Sequence, residues 1–354
     1  MESGTGAVHS PCTAPPADPP VVAAESGATA GVHPAAGGLV LPGDLESVGR
    51  YLTAAKAEST RKAYAADFRA WSTWAQRRGF IPLPAADTAV AAYLATLSDA
   101  GASPRTIARR LSGIGHAHRE AGHPSPAEHP GTREVLRGIR RAAARDNRRP
   151  RKARALDTAT IRALVEDLPA GVSGLRDRAL ILTSFALALR ASDACWLEVT
   201  DLAPAGHGGL DVTIGVSKTD QEGSGEVLAL APGVRAQTCP VRALQAWVDA
   251  AGIGGDSGPL FRSVGKGSPS RIGETRMARS SVRLILRRAA ERAGVPLDGL
   301  SPHSLRRSFA TEGYKAGVSE RELARTGRWA SVTTMRGYDA SSRWADPASA
   351  RLGL

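Results

Sequence analysis

The chain has 354 residues, of which 42% are hydrophobic and 23% are charged, proportions typical of a globular protein rather than a disordered or coiled-coil chain. No stretch reaches the roughly 18 consecutive apolar residues that a membrane span requires, and the three cysteines form no C-x-x-C pair, which argues against a disulfide scaffold and a zinc cluster. The net charge of +12, with arginine far more frequent than lysine, favours a polyanion such as nucleic acid as the partner, although a GC-rich genome also enriches arginine.

Residues 1–43 are rich in proline, glycine, alanine and serine, and the first basic residue of the chain is Arg50. This composition cannot bury enough apolar surface to fold, so we predict a disordered tail. The segment lacks the positively charged start of a signal peptide and the arginines of a transit peptide. Together with the scattered cysteines, this predicts a cytoplasmic protein without membrane attachment.

Residues 44–145 carry apolar side chains at three- and four-residue steps, the spacing of amphipathic helices. Ser103-Pro104 is a typical helix start, and a face of Ile107, Leu111 and Ile114 follows it. The predicted helices run from Ser59 to Gly79, from Asp87 to Leu97, from Pro104 onward and from Thr132 to Ala144. We predict an all-helical bundle without strands.

Residues 133–154 concentrate positive charge, with ten lysines and arginines against only Glu134 and Asp146, a net charge of +8. The stretch 147–155 has no apolar periodicity and contains Pro150, so we predict a basic linker over residues 146–156 that joins two domains. A solvated spacer is one interpretation. The concentration of charge favours the other, a strap and hinge that follows a nucleic acid.

Residues 157–340 have a different pattern, and we expect them to form the second domain. Two short β-rich runs, 210–216 and 226–230, flank a Gly-Ser-Gly turn and predict a hairpin. The predicted helices cover residues 157–168, 175–189, 240–251, 280–293, 302–316, 319–326 and 332–338, the second of them apolar nearly all round. Mostly helix with one small sheet predicts an α+β domain, and residues 341–354 are expected to be a C-terminal tail.

Two short stretches of this domain carry basic residues suited to a phosphate. Arg190 ends the predicted buried helix, where an unpaired guanidinium would be costly, so its partner is either a bound anion or the nearby Asp193. Lys218 lies at the tip of the predicted hairpin, where a lysine is usually only solvated.

Two further stretches lie near the C-terminus. His303 and Arg306 are three residues apart on the first turns of a helix that Ser301-Pro302 begins, so they share one face near its positive end, which suits an anion. A helix cap with an incidental histidine is the alternative. Trp329 precedes Tyr338 by nine positions, and an exposed tyrosine near a C-terminus usually has no special function.

Taken together, these residues resemble the tyrosine recombinase (phage integrase) family. Six side chains occur in the family's order and at similar spacings: Arg190, Lys218, His303, Arg306, Trp329 and Tyr338. Segments 59–64 and 103–107 resemble its N-terminal core-binding domain, so the resemblance covers about residues 44–343. Many members carry histidine where this chain has Trp329, but Cre-type members also carry tryptophan. The implied fold is a SAM-like helical bundle followed by a catalytic domain of the DNA breaking-rejoining type.

The resemblance implies a transesterification at a DNA phosphodiester, in which Tyr338 forms a 3′-phosphotyrosine without an external energy source. Arg190 and Arg306 would clamp the phosphate, as donors aimed at the charge that develops in the transition state. His303 and Trp329 would donate further hydrogen bonds, and His303 is also a candidate acceptor of the tyrosine proton.

The remaining implied roles belong to a lysine and an aspartate. Lys218 would protonate the leaving 5′-oxygen, and Asp193 would orient His303 or Arg190. No cofactor or metal ion is implied, because arginines can replace a metal ion in this chemistry and no acidic cluster resembles a magnesium site.

The family acts on double-stranded DNA, held between the two domains, as a homo-tetramer on two duplexes. Our candidate DNA contacts are basic residues of the two N-terminal segments and of the linker: Arg61, Lys62, Arg105, Arg109, Arg110, Arg148, Arg149 and Arg151. Trp344 and Leu352-Gly353-Leu354 make the C-terminal tail apolar enough to dock on a neighbouring subunit or to pack on its own domain.

Three other interpretations remain open at this point. A type IB topoisomerase-like relaxase uses similar residues but is less well matched by the N-terminal bundle. A non-cleaving, sequence-specific DNA-binding protein could retain the same side chains. A helical scaffold that is basic only through genome composition would bind DNA weakly and with little sequence preference.

Overall fold

The computed structural model describes Met1 and residues 42–147, 152–215, 225–255, 257–265 and 271–338. Over these ranges the chain is mainly helical with two small antiparallel sheets, which confirms the predicted fold class. It divides into two compact units, an N-terminal unit of Met1–Pro150 and a C-terminal unit of Arg151–Leu354.

The described part of the N-terminal unit is built from helices alone: α1 (Pro42–Ala54), α2 (Glu58–Arg77), α3 (Asp87–Asp99), α4 (Pro104–Glu120) and α5 (Pro130–Arg145). The four helices predicted for this region correspond to α2 through α5. Residues 42 and 43 belong to the predicted disordered tail, but in the structure a helix begins at Pro42. Proline is favoured at the first position of a helix, where its missing N–H has no partner in any case.

The core of this unit lies between α2, α3, α4 and α5. Trp71, Tyr93 and Ile107 are almost fully buried, as the helical periodicity predicted for Ile107. The indole nitrogen of Trp71 donates to the Pro82 carbonyl at 2.9 Å, so its burial leaves no polar atom unsatisfied. Ser103 caps α4 as predicted, because its hydroxyl accepts from the Thr106 backbone N–H at 3.2 Å.

A buried histidine joins α4 to the chain segment before α3. His118 is 1% exposed, its Nδ1 lies 2.8 Å from the Ile114 carbonyl and its Nε2 accepts from the Ala85 backbone N–H at 2.9 Å. Both ring nitrogens are therefore used in the neutral form, with the proton on Nδ1. Burial lowers the pKa of His118, which keeps the ring neutral.

The described part of the C-terminal unit contains these elements in chain order: α6 (Thr158–Glu166), α7 (Val172–Ala186), α8 (Ala191–Trp196), β1 (Leu202–Pro204), β2 (Leu210–Ile214), β3 (Glu226–Leu230), α9 (Pro240–Ala251), β4 (Arg262–Val264), β5 (Ile272–Arg276), α10 (Arg279–Arg292), α11 (Pro302–Lys315), α12 (Glu320–Gly327) and α13 (Val332–Arg336). Helix α7 packs against α9 and α11. Its residues Ala179–Ser184 are all buried, which confirms the prediction of a helix enclosed by its own domain.

The sheets are more numerous than predicted. Strands β2 and β3 form the predicted antiparallel pair, with Val212 opposite Leu228 and both side chains buried. Strand β1 adds a third member to this sheet, and β4 with β5 forms a separate two-stranded sheet, so the expectation of one small sheet was wrong. The three-residue strands are too short to show an alternating pattern.

Hydrogen bonds attach residues 153–156 to the C-terminal unit. The Arg154 backbone N–H donates to Gly299 at 2.8 Å, Arg307 donates to the Ala153 carbonyl at 2.7 Å, and the Leu156 N–H donates to the Ser308 hydroxyl at 2.7 Å. The end of the segment analysed as a basic linker is therefore part of the packed C-terminal unit rather than a solvated spacer.

Two general properties of the described residues concern membranes and metals. Their helices are too short or too polar to cross a bilayer. No group of three or more histidine, cysteine or acidic side chains within the described ranges is arranged to hold a metal ion.

Candidate active site

A tight turn between α7 and α8 positions Arg190. Helix α7 ends at Ala186 and Arg190 is the extended residue that precedes α8, so the prediction that Arg190 ends the long helix was wrong. The chain reverses through Ala188, which has φ of 48°, a left-handed conformation that costs a residue with a side chain about 1–2 kcal/mol. An apolar run alone could not reveal this turn, because Leu187–Leu189 are as buried as the helix before them.

The turn at Ala188 also holds Arg306, the second arginine of the site. Arg306, on α11, is 1% exposed and donates from Nη1 to the Ala188 carbonyl at 2.6 Å. Its guanidinium carbon lies 4.2 Å from the centre of the Trp329 ring, a cation–π contact. Its other terminal nitrogen, Nη2, is buried without a hydrogen-bond partner among the described residues. One end of this guanidinium is thus fixed while the other remains available.

Helix α11 begins as the sequence predicted. Pro302 occupies its first turn, and the Ser301 backbone N–H donates to the Ser304 hydroxyl at 3.1 Å. This start places His303 in the exposed first turn and Arg306 one turn later on the buried side. The predicted shared face is confirmed by their contacts, since the two side chains reach Tyr338 and Trp329, two aromatic rings that contact each other.

Tyr338 follows α13 and is held at its backbone. Its N–H donates to the Met335 carbonyl at 2.8 Å, and its carbonyl accepts from the Thr311 hydroxyl on α11 at 3.0 Å. These bonds bring the Tyr338 hydroxyl to 2.9 Å from Nε2 of His303. A phenol and an imidazole at this distance can transfer a proton directly.

Trp329 packs directly against the tyrosine. The two ring centres are 5.8 Å apart, and the Trp329 ring stacks on Phe309 at 6.5 Å. The indole also folds back over its own chain, because a Cβ atom added to Gly327 would lie 1.8 Å from Cζ3 of Trp329. Only glycine can therefore precede this tryptophan by two positions while the ring keeps its place.

The structure adds Arg328 to the site, a residue that the sequence analysis did not single out. Its Nη2 lies 2.6 Å from Oδ2 of Asp193, whereas Nη1 of Arg190 is 3.6 Å from the same oxygen. The Arg190 backbone N–H also donates to that oxygen, at 3.3 Å. Asp193 therefore acts on Arg190, one of the two expectations, but its shortest bond is to Arg328. Among the described residues, Asp193 makes no hydrogen bond to His303.

The electrostatic environment is strongly positive. Burial, together with the neighbouring Arg190 and Arg328, lowers the pKa of Arg306 to about 9, so the guanidinium stays protonated at neutral pH and favours an anion. Partial burial and the charges of Arg306, Arg190 and Arg307 lower the pKa of His303 below its usual value. At neutral pH the imidazole is therefore uncharged and can accept a proton.

Five of the six predicted catalytic side chains meet in this region of the C-terminal unit: Arg190, His303, Arg306, Trp329 and Tyr338. The sixth, Lys218, lies outside the described residues, as do Arg148, Arg149 and Arg151 of the linker and the whole C-terminal tail. Arg307, which was not predicted, also lies in this region, and its guanidinium is 5.8 Å from the Tyr338 ring centre. An arginine directly after Arg306 gives no separate signal in a basic sequence.

The remaining candidate DNA contacts lie on α2 and α4. Arg61 and Arg105 are exposed, and Lys62 is exposed with an ion pair to Glu58 at 2.6 Å. Arg109 pairs with the buried Asp67. Arg110 is half-buried and donates to the hydroxyl of Tyr93 at 3.0 Å. The last two thus stabilise the helix packing, and a DNA contact from any of these residues stays a prediction.

Comparison with known proteins agrees with this geometry. The family model described as the phage integrase family matches residues 154–343, and that of the phage integrase N-terminal SAM-like domain matches residues 48–123. The integrase/recombinase XerD homolog of Selenomonas ruminantium is 33% identical over 292 residues, which are 82% of this chain and 83% of that protein. The recombinase Cre of Escherichia phage P1 is 26% identical over 293 residues, 79% and 83% of the two chains.

A solved structure shares the fold. A lambda integrase dimer bound to a COC' core site is similar with a TM-score of 0.56 at 19% identity, covering 87% of this chain and 99% of that chain. The family model spans more than half of the present sequence, and the Selenomonas relative is similar over both units. The chain therefore belongs to the phage integrase family, the tyrosine recombinases, enzymes that cut and rejoin DNA strands.

Proposed function

We propose that Tyr338 is the nucleophile with which this chain carries out site-specific DNA recombination through a 3′-phosphotyrosine intermediate. The observation that carries the proposal is the 2.9 Å distance between the Tyr338 hydroxyl and Nε2 of His303. A phenol in water titrates near pH 10 and is a poor nucleophile, so a neutral imidazole at hydrogen-bond distance supplies the base that it lacks.

The scissile phosphate binds between Arg190 and Arg306. Each guanidinium has a buried terminal nitrogen without a hydrogen-bond partner among the described residues, Nη1 of Arg190 and Nη2 of Arg306. Buried donors of this kind cost free energy until an acceptor arrives, and a non-bridging phosphate oxygen is such an acceptor. Negative charge grows on these oxygens during the reaction, so the two arginines bind the transition state more strongly than the ground state.

The strand is cut in one displacement. The Tyr338 oxygen forms a bond to phosphorus while the bond from phosphorus to the 5′-oxygen breaks, and the tyrosine proton passes to His303. Lys218, for which the family resemblance is the support, gives a proton to the leaving 5′-oxygen. The phosphodiester is exchanged for a phosphotyrosine ester, so a 5′-hydroxyl can reverse the step and rejoin the strands without an external energy source.

The wider assignments follow the family. We infer a cytoplasmic enzyme whose partner is double-stranded DNA, bound by a core-binding domain over residues 44–145 and a catalytic domain over residues 157–340. We infer a homo-tetramer acting on two duplexes, with Arg61 and Arg105 as DNA contacts that are exposed on the N-terminal unit. The net charge of +12 supports a polyanionic partner.

The test is covalent trapping. A duplex that carries a site recovered by selection from genomic DNA is nicked next to the cleavage position, so that the short 5′-hydroxyl fragment diffuses away and the adduct accumulates. We expect wild-type protein to form a covalent complex that survives denaturing electrophoresis, and Tyr338→Phe to form none because it lacks the attacking oxygen.

The control is Tyr314→Phe, which removes the next candidate hydroxyl and should leave the adduct unchanged. An adduct retained by the Tyr338→Phe variant would assign the nucleophile elsewhere. Relaxation of supercoiled plasmids that lack the selected site would instead favour a type IB topoisomerase-like activity.

A further inference from the structure

Two guanidinium groups, those of Arg190 and Arg328, lie next to the carboxylate of Asp193 in the buried part of the site. Both also repel the charge of Arg306, which Asp193 attracts. The side chains of Arg328 and Asp193 are only 4% and 2% exposed. A buried ion pair rarely increases stability over an apolar pair, so its presence at a reaction centre points to a role beyond folding.

The carboxylate is shared unequally. Oδ2 of Asp193 lies 2.6 Å from Nη2 of Arg328 but 3.6 Å from Nη1 of Arg190, which is too long for a hydrogen bond. Oδ1 of Asp193 accepts from the Ser192 hydroxyl at 3.1 Å. Both oxygens are thus engaged by groups other than the Arg190 guanidinium, and Nη1 of Arg190 has no hydrogen-bond partner among the described residues.

The backbone at Arg328, where α12 ends, adopts a strained conformation. Arg328 has φ of 51° and ψ of 51°, the left-handed conformation that glycine adopts without cost. The residue directly precedes Trp329, and its side chain reaches an aspartate 135 positions earlier in the chain. An arginine at such a position is costly for the backbone, and strained residues of this kind concentrate at functional sites.

We propose that Arg328 is a positioning residue for the scissile phosphate, which acts by holding Asp193 away from the guanidinium of Arg190. An aspartate without Arg328 would form a close ion pair with Arg190, and the phosphate would then have to displace a carboxylate. With Arg328 in place, Arg190 is oriented through its backbone but its Nη1 is left for the phosphate. The proposal rests on the proposed function of Arg190 as a phosphate clamp.

Substitution of the two partners separates this role from a structural one. In Arg328→Met, Asp193 is released onto Arg190, and we expect cleavage to slow by about 10- to 100-fold, the cost of a misplaced catalytic group. In Asp193→Asn, the amide oxygen can still accept from the Arg190 backbone N–H. The neutral amide does not attract the guanidinium of Arg190. Because Asp193 also orients the Arg190 backbone, this variant should lose some activity, but less than Arg328→Met, and the double variant should cleave as fast as Asp193→Asn alone.

The measurements are single-turnover cleavage of the nicked duplex at saturating protein and the equilibrium affinity for the same duplex. Because the scissile phosphate is one of many contacts with a duplex, we expect the affinity to change much less than the cleavage rate, which follows the pattern above. Arg328→Lys keeps a cation next to Asp193 and should cleave nearly as fast as wild type. If Arg328 only stabilised the fold, Asp193→Asn would be as slow as Arg328→Met. If Arg328 contacted the phosphate itself, the double variant would stay slow. Either result overturns the proposal.

A second probe does not depend on cleavage. Orthovanadate is a phosphate-like oxyanion, and its binding raises the melting temperature of a protein whose folded state binds it. We expect a vanadate-dependent shift in wild type, its loss in Arg328→Met and its return in the double variant. An equal shift in Arg328→Met and wild type would contradict the role of Arg328. Failure of the wild type to form an adduct would contradict the proposed function alone.

Discussion

His303 is the residue whose charge state decides how the tyrosine is activated. It lies in a group of arginines, and burial together with these positive charges lowers its pKa, so the ring is neutral at neutral pH. A neutral ring with Nε2 facing the Tyr338 hydroxyl can accept its proton. A protonated ring could only donate a hydrogen bond, and the two roles have opposite dependence on pH.

The first prediction concerns this pH dependence. Because the active form of His303 is neutral and its pKa lies below about 6.5, the cleavage rate should rise with pH through that pKa and become level above about pH 6.5. The rate is measured on the nicked duplex between about pH 4.5 and pH 8.5 at saturating protein.

The matched variant is His303→Gln, which keeps hydrogen-bonding groups but does not titrate. It should be slower and should lack the rise on the acid side. A wild-type rate that falls as the pH increases through this range would instead identify His303 as a donor to the phosphate.

At the residue scale, the sequence predicted which side chains meet in the candidate site but not all of their partners. Arg190, His303 and Tyr338 could be predicted because their order and spacing match a family. Arg328 could not, since its partner is 135 positions away and a surface arginine is the usual expectation in a basic protein. The sequence likewise did not predict the ion pair of Arg109 with Asp67, since the two residues lie on different helices.

At the scale of elements, α11 has two separate functions. One side carries His303 and Arg306 into the site. Another side holds the chain that enters the C-terminal unit, since Ser308 accepts from Leu156 and Glu312 accepts from both the backbone N–H and the hydroxyl of Thr158. The helix that positions the catalytic groups is thus fixed by the segment that leads in from the linker.

The second prediction follows from the Ser308 bond. Ser308 is fully buried and its oxygen is 2.7 Å from the Leu156 N–H, so Ser308→Ala leaves that N–H without an acceptor. An unsatisfied buried donor costs about 1–3 kcal/mol, by which the free energy of unfolding of the C-terminal unit should fall.

Urea denaturation of the full chain, followed by tryptophan fluorescence, measures this loss. Thr200→Ala, at an exposed position in the same unit, is the control and should change the free energy of unfolding by less than about 0.5 kcal/mol. Equal stabilities of wild type and Ser308→Ala would show that water satisfies the Leu156 N–H.

The helices and strands were predicted correctly where the apolar pattern repeats over many residues. The helices around Tyr93 and Ile107 repeat an apolar face over several turns, and tertiary packing then buried that face. Strand β1 has three residues and β4 also has three, which is too few for a period of two to be recognised. The end of α7 was misplaced because burial continues through the turn at Ala188.

At the scale of the whole molecule, positive charge is concentrated near the boundary of the two units. The arginines of α5 are exposed, and with the residues that follow they give the +8 of residues 133–154. A polyanion with its own condensed counterions binds such a region by releasing those ions, so its affinity falls as the salt concentration rises.

The third prediction tests the linker arginines. Neutralisation of Arg148, Arg149 and Arg151 to glutamine should reduce the slope of log affinity against log salt concentration by up to about 3, because each phosphate contact contributes about 0.9. The slope is measured by equilibrium binding to duplex DNA at several salt concentrations.

A triple variant at exposed arginines of the C-terminal unit, Arg235, Arg242 and Arg292, removes the same net charge and should change the slope less. If the linker variant kept the wild-type slope, its arginines would remain in solvent when DNA is bound.

Gly327 limits how this sequence can evolve. The indole of Trp329 occupies the space into which any side chain at position 327 would project. The ring can therefore keep this position only while residue 327 is glycine. A smaller ring at position 329 would lift that restriction. Position 327 can therefore vary only after position 329 has lost its tryptophan, and tryptophan at 329 is accessible only to lineages that already carry glycine two residues earlier.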